Sequence, residues 1–327
     1  DIFPEIIRSD KNVKIFIKQG GNNWVCSGSL IDSRHVLTAG HCLFDGGWAD
    51  SVFVVPAFHE DAQGNGIAPY GAATDVNLLS WTGWTQQHDY EWDMGVIFLE
   101  RPVGALTGWF GFGSSEDYQF YKDNLWRNFS YPAQPPYDGN DMFFRTAGMS
   151  YHYESHTIFD PEPSFWDSLY VYHFDASLDG QFGSSYYTFV WLDRIIYAVL
   201  SHTNVASTGD DFTGIAYIHS GQFNQISDFF DENIPAQLDL IPLWTTTSTK
   251  NAAPGEMLAD FSFIIHNYSK HTFSGGLEAK VFLSADRYFS PDDDVLISTL
   301  SMPNLLLPER GTTIVTIEGD KPHIPDT

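Results

Sequence analysis

Cysteine is nearly missing: the 327 residues hold two, Cys26 and Cys42. That excludes a disulfide-dense scaffold. The pair brackets one short segment, so a single disulfide and an oxidising compartment are expected, with two buried thiols as the bland alternative. Basic side chains are also scarce, 16 Lys+Arg against 42 Asp+Glu, a formal charge of −26. Such a field repels nucleic-acid phosphates and anionic lipid, so neither is an expected partner. The bland reading of the charge is solubility in extracellular or salty water. No apolar run approaches about 18 residues, so no membrane-spanning helix is expected. No basic stretch followed by an apolar one opens the sequence, and a secretory leader is expected to have been removed or to lie outside it. Long helical periodicity is almost absent, which argues against an alternating α/β chain.

What is present is a series of short β segments. The stretches 13–20, 24–31, 35–40, 52–58, 94–100, 168–174, 184–192 and 195–202 carry β-branched and aromatic residues between Gly, Asn, Asp and Pro. One helix is predicted over 220–234, where Phe223, Ile226, Phe229 and Phe230 follow helical spacing and Ser220 stands as an N-cap. A Pro-, Thr- and Ala-flavoured stretch, "PLWTTTSTKNAAPGE" (242–256), follows that helix. Length predicts about two domains, and we place them at 1–236 and 237–327. Both read as all-β, because strand patterns at 257–267, 277–286, 295–302 and 312–319 resume after the helix.

The chemistry-bearing motifs lie in the first domain. "CSGSLIDSRHVLTAGHC" (26–42) is followed by "DYEWDMGVIFLERPVG" (89–104), "LTGWFGF" (106–112), "NFSYPAQPPYDGNDMF" (128–143), "GQFGSSYY" (180–187) and "IIYAVLSH" (195–202). In this order residues 1–235 resemble trypsin-like serine proteases, and within them the bacterial glutamyl-endopeptidase branch. The resemblance implies a double β-barrel with a catalytic cleft between the barrels. It implies that His41 stands at the general-base position and Asp93 at that of the orienting carboxylate; Asp89 is close enough to compete. Ser201 falls where a serine hydrogen-bonds that carboxylate. The resemblance also implies that the N–H groups of Gly180 and Phe182 take the oxyanion-hole positions and that Ser177 lies near the wall of the specificity pocket.

The departure from the pattern is Phe182, which occupies the nucleophile's place. A serine attacks when a histidine takes its proton. Phenylalanine has no hydroxyl to give one up and cannot form an acyl-enzyme. The expectation is therefore a protease homologue without protease chemistry, binding a protein or an extracellular surface ligand or serving in extracellular assembly. The alternative is an active glutamyl-endopeptidase-like enzyme in which Ser184 or Ser185 re-registers into the vacant role. His41 and Asp93 also have a structural reading, since buried polar groups need partners whether or not they catalyse.

The remaining signals are bland. The other histidines lack zinc-ligand spacing, and "YHYESH" (151–156) reads as a surface loop. "NFS" (128–130) and "NYS" (267–269) are glycosylation sequons. Residues 237–327 resemble the CARDB-like family of immunoglobulin-type domains, on "LDLIPL", "APGEMLADFSFIIHN", "AKVFLSADRYFSPDDDVLIS" and "LLLPERGTT". That resemblance implies a β-sandwich serving as a spacer or adhesive module. Its "DRYFSPDDD" loop gathers Asp286, Asp292, Asp293 and Asp294, an oxygen-rich set for Ca²⁺ or simply a solvated acidic turn. No cofactor is otherwise expected. The given sequence stops at "HIPDT" (323–327), where members of that family often continue into a final strand; the expectation is either a trimmed end or an edge strand supplied by a partner.

Overall fold

The computed structural model describes residues 10–151, 169–172, 178–191, 193–205, 211–235, 237–249, 253–258, 261–284 and 294–316. The chain divides into two compact units, 1–231 and 232–327. Ser177, Asp286, Asp292, Asp293 and the segment 317–327 lie outside the described residues, as do most of "YHYESH" and part of the loop around 206–210.

Six antiparallel strands close the first barrel. They are β1 (Asn12–Gln19), β2 (Asn22–Leu30), β3 (His35–Thr38), β4 (Ser51–Pro56), β5 (Ala73–Ser80) and β6 (Gly95–Leu99), in the order β1-β2-β3-β6-β5-β4. Alternation explains the inside: Val13, Ile15 and Ile17 of β1 are buried while Lys18 stands outside. Val36, Leu37, Val52, Val54 and Ile97 fill the same core.

The second barrel uses β7 (Gly111–Phe112), β8 (Trp126–Ser130), β9 (Phe143–Tyr151), β10 (Leu169–Tyr172), β11 (Ser185–Val190), β12 (Asp193–Val205) and β13 (Asp211–Tyr217). Pairing of β11 with both β8 and β12 joins the ends of the sheet, so six strands form a closed ring; β7 runs parallel along the outside of β12. Rings dominate its core: Trp126, Tyr186 and Tyr187 are essentially inaccessible. Among the strands of the two barrels the sequence pattern misses β5, β7, β8, β9 and β13. Strand β5 shows why, because its "ATDVNLLS" interrupts the apolar alternation with Asp75 and Asn77.

A helix, α1 (Ser220–Glu232), returns to the first barrel. Its buried Ile226, Phe229 and Phe230 form the predicted stripe, and Phe230 stacks on His35 of β3 at 4.1 Å. Ser220 is the first helical residue rather than the cap; its N–H donates to the Glu116 carboxylate at 2.9 Å.

The second unit is all-β as well. Strands β14 (Leu240–Thr246), β15 (Ser262–Asn267) and β18 (Thr312–Thr316) form one antiparallel sheet; β16 (Phe273–Leu283) and β17 (Val295–Leu307) form a long hairpin. Phe261, Phe263, Ile265 and Leu307 are its buried centre, with Leu277, Val281 and Met302 packed against them. Asn267 sits inside, its amide donating to the carbonyls of His271, Leu307 and Pro308. Asn128 is equally buried, so the folded chain presents neither sequon to a glycosylating enzyme.

Candidate active-site cleft

Three side chains from three elements meet where the barrels face each other. His41 lies in a single 3₁₀ turn (Gly40–Cys42) after β3. The turn fits because residue 40 is glycine: a Cβ there would lie 2.9 Å from Trp84 Cδ1 and 3.0 Å from Met94 O. Asp93 lies two residues before β6 and is fully buried. Its Oδ2 lies 2.8 Å from His41 Nδ1, and its Oδ1 accepts from the His41 backbone N–H at 2.7 Å. Ser201, in β12, donates to Oδ2 at 2.6 Å. The neighbouring Asp89 does a different job, accepting from Glu91 N–H to cap the turn Tyr90–Trp92.

Burial alone disfavours the His41 cation, but the Asp93 charge and hydrogen bond, helped by Asp45, outweigh it and raise the pKa above the ordinary value. With Nδ1 committed to Asp93, the other ring nitrogen is the one left for chemistry. No hydroxyl among the described residues hydrogen-bonds it. The imidazole side chain is 27% exposed.

The ring of Phe182 takes the facing position. Its centroid lies 5.2 Å from that of His41, edge to face at 76°, with Trp84 at 6.0 Å from the imidazole. Phe182 is half-buried and packs against the cores of both barrels. The loop around it is rigidly specified. Gly180 and Gly183 have φ of 84° and 83°, a region L side chains avoid. A Cβ at 180 would strike Tyr131 O and stand 2.8 Å from Ala133 Cβ; at 183 it would strike Thr38 Oγ1 and stand 2.5 Å from Ser27 O. Across the barrels, Ser27 N–H donates to Phe182 O at 2.9 Å, Ser27 Oγ to Gly180 O at 2.6 Å, and Tyr131 N–H to Ser27 Oγ at 2.9 Å. The Gly183 N–H donates to Leu200 O at 2.8 Å. The N–H groups of Gly180 and Phe182 donate to no acceptor among the described residues.

Ser184 and Ser185 are both buried, turned toward the second barrel. Asn128 Nδ2 donates to Ser184 Oγ at 2.8 Å and to Ser185 O at 3.1 Å. The disulfide Cys26–Cys42 is formed and lies beside His41. A cavity of about 750 Å³ opens on that side, lined by Phe16, Trp24, Phe53, Asp45, Asp179 and the His41–Phe182 pair among others.

The motifs did not single out His202. It adjoins Ser201, its Nδ1 3.1 Å from Ser201 Oγ, and its ring lies against Tyr90 at 4.0 Å. Burial pushes its pKa down to about 4 against the opposing pull of Asp93, so the ring is neutral at physiological pH. Its place directly after Ser201 in "LSH" was the available signal.

The family model described as Trypsin matches residues 7–119. Among curated proteins, the extracellular metalloprotease of Bacillus subtilis is 30% identical over 107 residues, 32% of this chain and 33% of the relative. The glutamyl endopeptidase of Bacillus licheniformis is 33% identical over 90 residues, 27% of each chain. The chain thus matches these relatives over about a third of their length or less. Solved structures with the same fold include a thermostable serine protease, AL20, from an extremophilic microorganism (TM-score 0.55, 17% identity, covering 69% of this chain and 99% of that one). The protease Anisep from Arthrobacter nicotinovorans (TM-score 0.53, 21% identity, 67% and 96%) is another. So is a scabies mite inactivated protease paralogue (TM-score 0.51, 16% identity, 70% and 97%).

Proposed function

We propose that this trypsin-like serine-protease domain is a secreted homologue that has kept the base and its orienting carboxylate, has lost the nucleophile, and uses its cleft to bind a protein ligand without cleaving it. The observation that carries the reading is the benzyl ring of Phe182 lying edge-on to His41. Peptide hydrolysis on this fold needs an oxygen that the imidazole deprotonates, an oriented imidazole, and donors for the oxyanion. His41, Asp93 and Ser201 supply the oriented base. The N–H groups of Gly180 and Phe182 supply unclaimed donors. No hydroxyl among the described residues supplies the oxygen, and the ring fills the space where a scissile carbonyl would approach. The same fold serves a protease paralogue described as inactivated, so loss of chemistry is compatible with keeping the barrels.

The rival reading, with Ser184 or Ser185 as nucleophile, would have to break the Asn128 hydrogen bond and lift a buried residue across the ring of Phe182. The disulfide and the name of one relative, an extracellular metalloprotease, support secretion. We read the second unit as an immunoglobulin-type spacer; its calcium and edge-strand roles stay with that proposal. The direct test is labelling of the native chain with a fluorophosphonate probe. No label is the expected result; stoichiometric labelling that is lost on Ser184→Ala or Ser185→Ala would overturn the proposal in favour of a working enzyme.

A further inference from the structure

Beside Phe182 the first barrel leaves part of a strand without a neighbour. Strand β2 pairs with β1 along Asn22–Ser29, but with β3 only at Ser29 and Leu30. In an antiparallel ladder the N–H and C=O of one residue point to the same side, and that side alternates along the strand. Ser27 points away from β1: its N–H donates to Phe182 O at 2.9 Å and its carbonyl accepts from Thr38 Oγ1 at 2.8 Å. The backbones of Val25 and Asn23 therefore point the same way, toward the cavity they line, and their N–H and C=O groups meet no partner there among the described residues. Such an edge is a template for an extended chain.

An added strand has a shelf to lie on and a wall to stop at. Ile15 and Ile17 fill the inside of the barrel, so Phe16 stands on its outer face, paired with Val25 on one side and Phe53 on the other. These side chains make an apolar shelf along the cavity, and Phe53 is 45% exposed. Toward the second barrel the ladder ends. Both backbone groups of Ser27 are claimed, and the Phe182 ring stands edge-on to His41 just beyond. A chain laid on β2 therefore reaches a dead end at Phe182. Run antiparallel to β2, like β1 itself, it ends there with its N-terminus; run parallel, with its C-terminus.

Charge decides which terminus fits. The cavity is lined by Asp45 and Asp179 against Lys18. Protonated His41 brings Asp93 with it, so that pair adds no net positive charge. Asp45 is fixed through its backbone, its N–H donating to Gly47 O and its carbonyl accepting from the Gln19 amide, both at 3.0 Å. Its carboxylate accepts no hydrogen bond among the described residues, and its charge is felt at His41. Asp179 accepts from the Gln134 amide and keeps its charge. An α-ammonium is attracted by both acids, and a carboxylate is repelled by both.

We infer that the cleft captures the free N-terminus of a partner protein: its first residues add to β2 as an antiparallel strand over Phe16 and Phe53, and its α-ammonium stops at Phe182 and faces the Asp45 carboxylate. This names the occupant of the binding cleft proposed above and rests on that reading, because the ring at 182 is what turns a passage into a dead end. Main-chain hydrogen bonds to Val25 and Asn23 supply affinity for any extended segment, and the ammonium supplies selectivity for a chain end. At about 750 Å³ the cavity admits the opening residues of a chain and excludes a folded surface.

Two arrays of short random peptides test this, one anchored by C-termini and presenting free amines, the other anchored by N-termini and presenting free carboxylates. Probed with the full chain, binding confined to the amine-presenting array is expected. The strongest binders, remade in solution, are expected to lose about 10-fold or more in affinity on N-acetylation and nothing on C-terminal amidation. Asp45→Asn is expected to weaken the free-amine peptides by a similar factor and to erase their advantage over the acetylated ones. Glu309→Gln, the same charge change in the second unit, is expected to alter neither. Both positions are exposed, and circular dichroism checks folding. Acetylated peptides bound as tightly as free ones, an amine preference that survives Asp45→Asn, or binding that requires a free carboxylate each overturn the inference. So does the absence of peptide binding at about 1 mM. A native chain that takes no fluorophosphonate probe yet binds acetylated peptides equally well keeps the cleft reading and loses the terminus; a chain labelled at Ser184 or Ser185 loses the cleft reading itself.

Discussion

Replacing Phe182 by serine isolates the missing atom. The backbone at 182 is held independently of the ring: its carbonyl accepts from Ser27, and the next residue donates to Leu200. The new hydroxyl would therefore arrive where the benzyl group now faces His41, while Asp93 and Ser201 continue to orient the base. Deleting a fully buried phenylalanine costs about 3–5 kcal/mol; this one is half-buried, so a loss of about 2 kcal/mol is expected. For a unit of this size that lowers Tm by about 4–8 °C. The gain in chemistry is far larger. Restoring a nucleophile to an otherwise assembled base and oxyanion site is worth on the order of 10³-fold or more in turnover. The assay is the rate of fluorophosphonate labelling together with kcat/KM on a peptide library. Labelling of Phe182→Ser that disappears in Phe182→Ser/His41→Ala is the expected pair of results. A Phe182→Ser chain that keeps its near-ultraviolet dichroism yet takes no probe would refute the claim that the rest of the machinery is intact.

Two other predictions follow from the same geometry. The raised His41 pKa means that its cation stabilises the fold: the contribution is fully present below the unfolded value near 6.5 and is lost as pH rises through the higher folded value. Asp93→Asn removes the charge that does most to oppose burial and leaves only Asp45 against it, so the His41 midpoint should fall, read by histidine proton resonances; an unchanged midpoint would refute the account. Gly183→Ala forces a side chain into Thr38 and Ser27 at a left-handed φ, so it should destabilise by several kcal/mol, about 3 or more, in denaturant melts; Gly113→Ala, which meets only the Tyr197 ring, should cost less.

Motifs alone mark much of the cleft. "TAGHC" and the apolar run after Asp93 mark His41 and Asp93, which hydrogen-bond in the cleft, because tight turns and buried strands leave local marks: a glycine that cannot be replaced, an unbroken "GVIFL". Strand β5 left no such mark, since its partners on both sides, not its own alternation, make it a strand. Asn128 looked like a sequon and is a buried lock on Ser184, a role created by a residue 56 positions away. His202 and Trp84 border the imidazole or its network only after the chain closes two barrels.

By itself the amino-acid sequence determined that position 182 carries no hydroxyl, that one disulfide was available, and that strands outnumber helices. Composition and spacing suffice for such properties because they are covalent or local. Only the tertiary structure decided that Asp93 rather than Asp89 holds His41, that the Phe182 ring faces the imidazole instead of solvent, and that Ser184 turns away. Each depends on which side chains long-range strand pairing brings within a few ångströms, and no short window of sequence contains both partners.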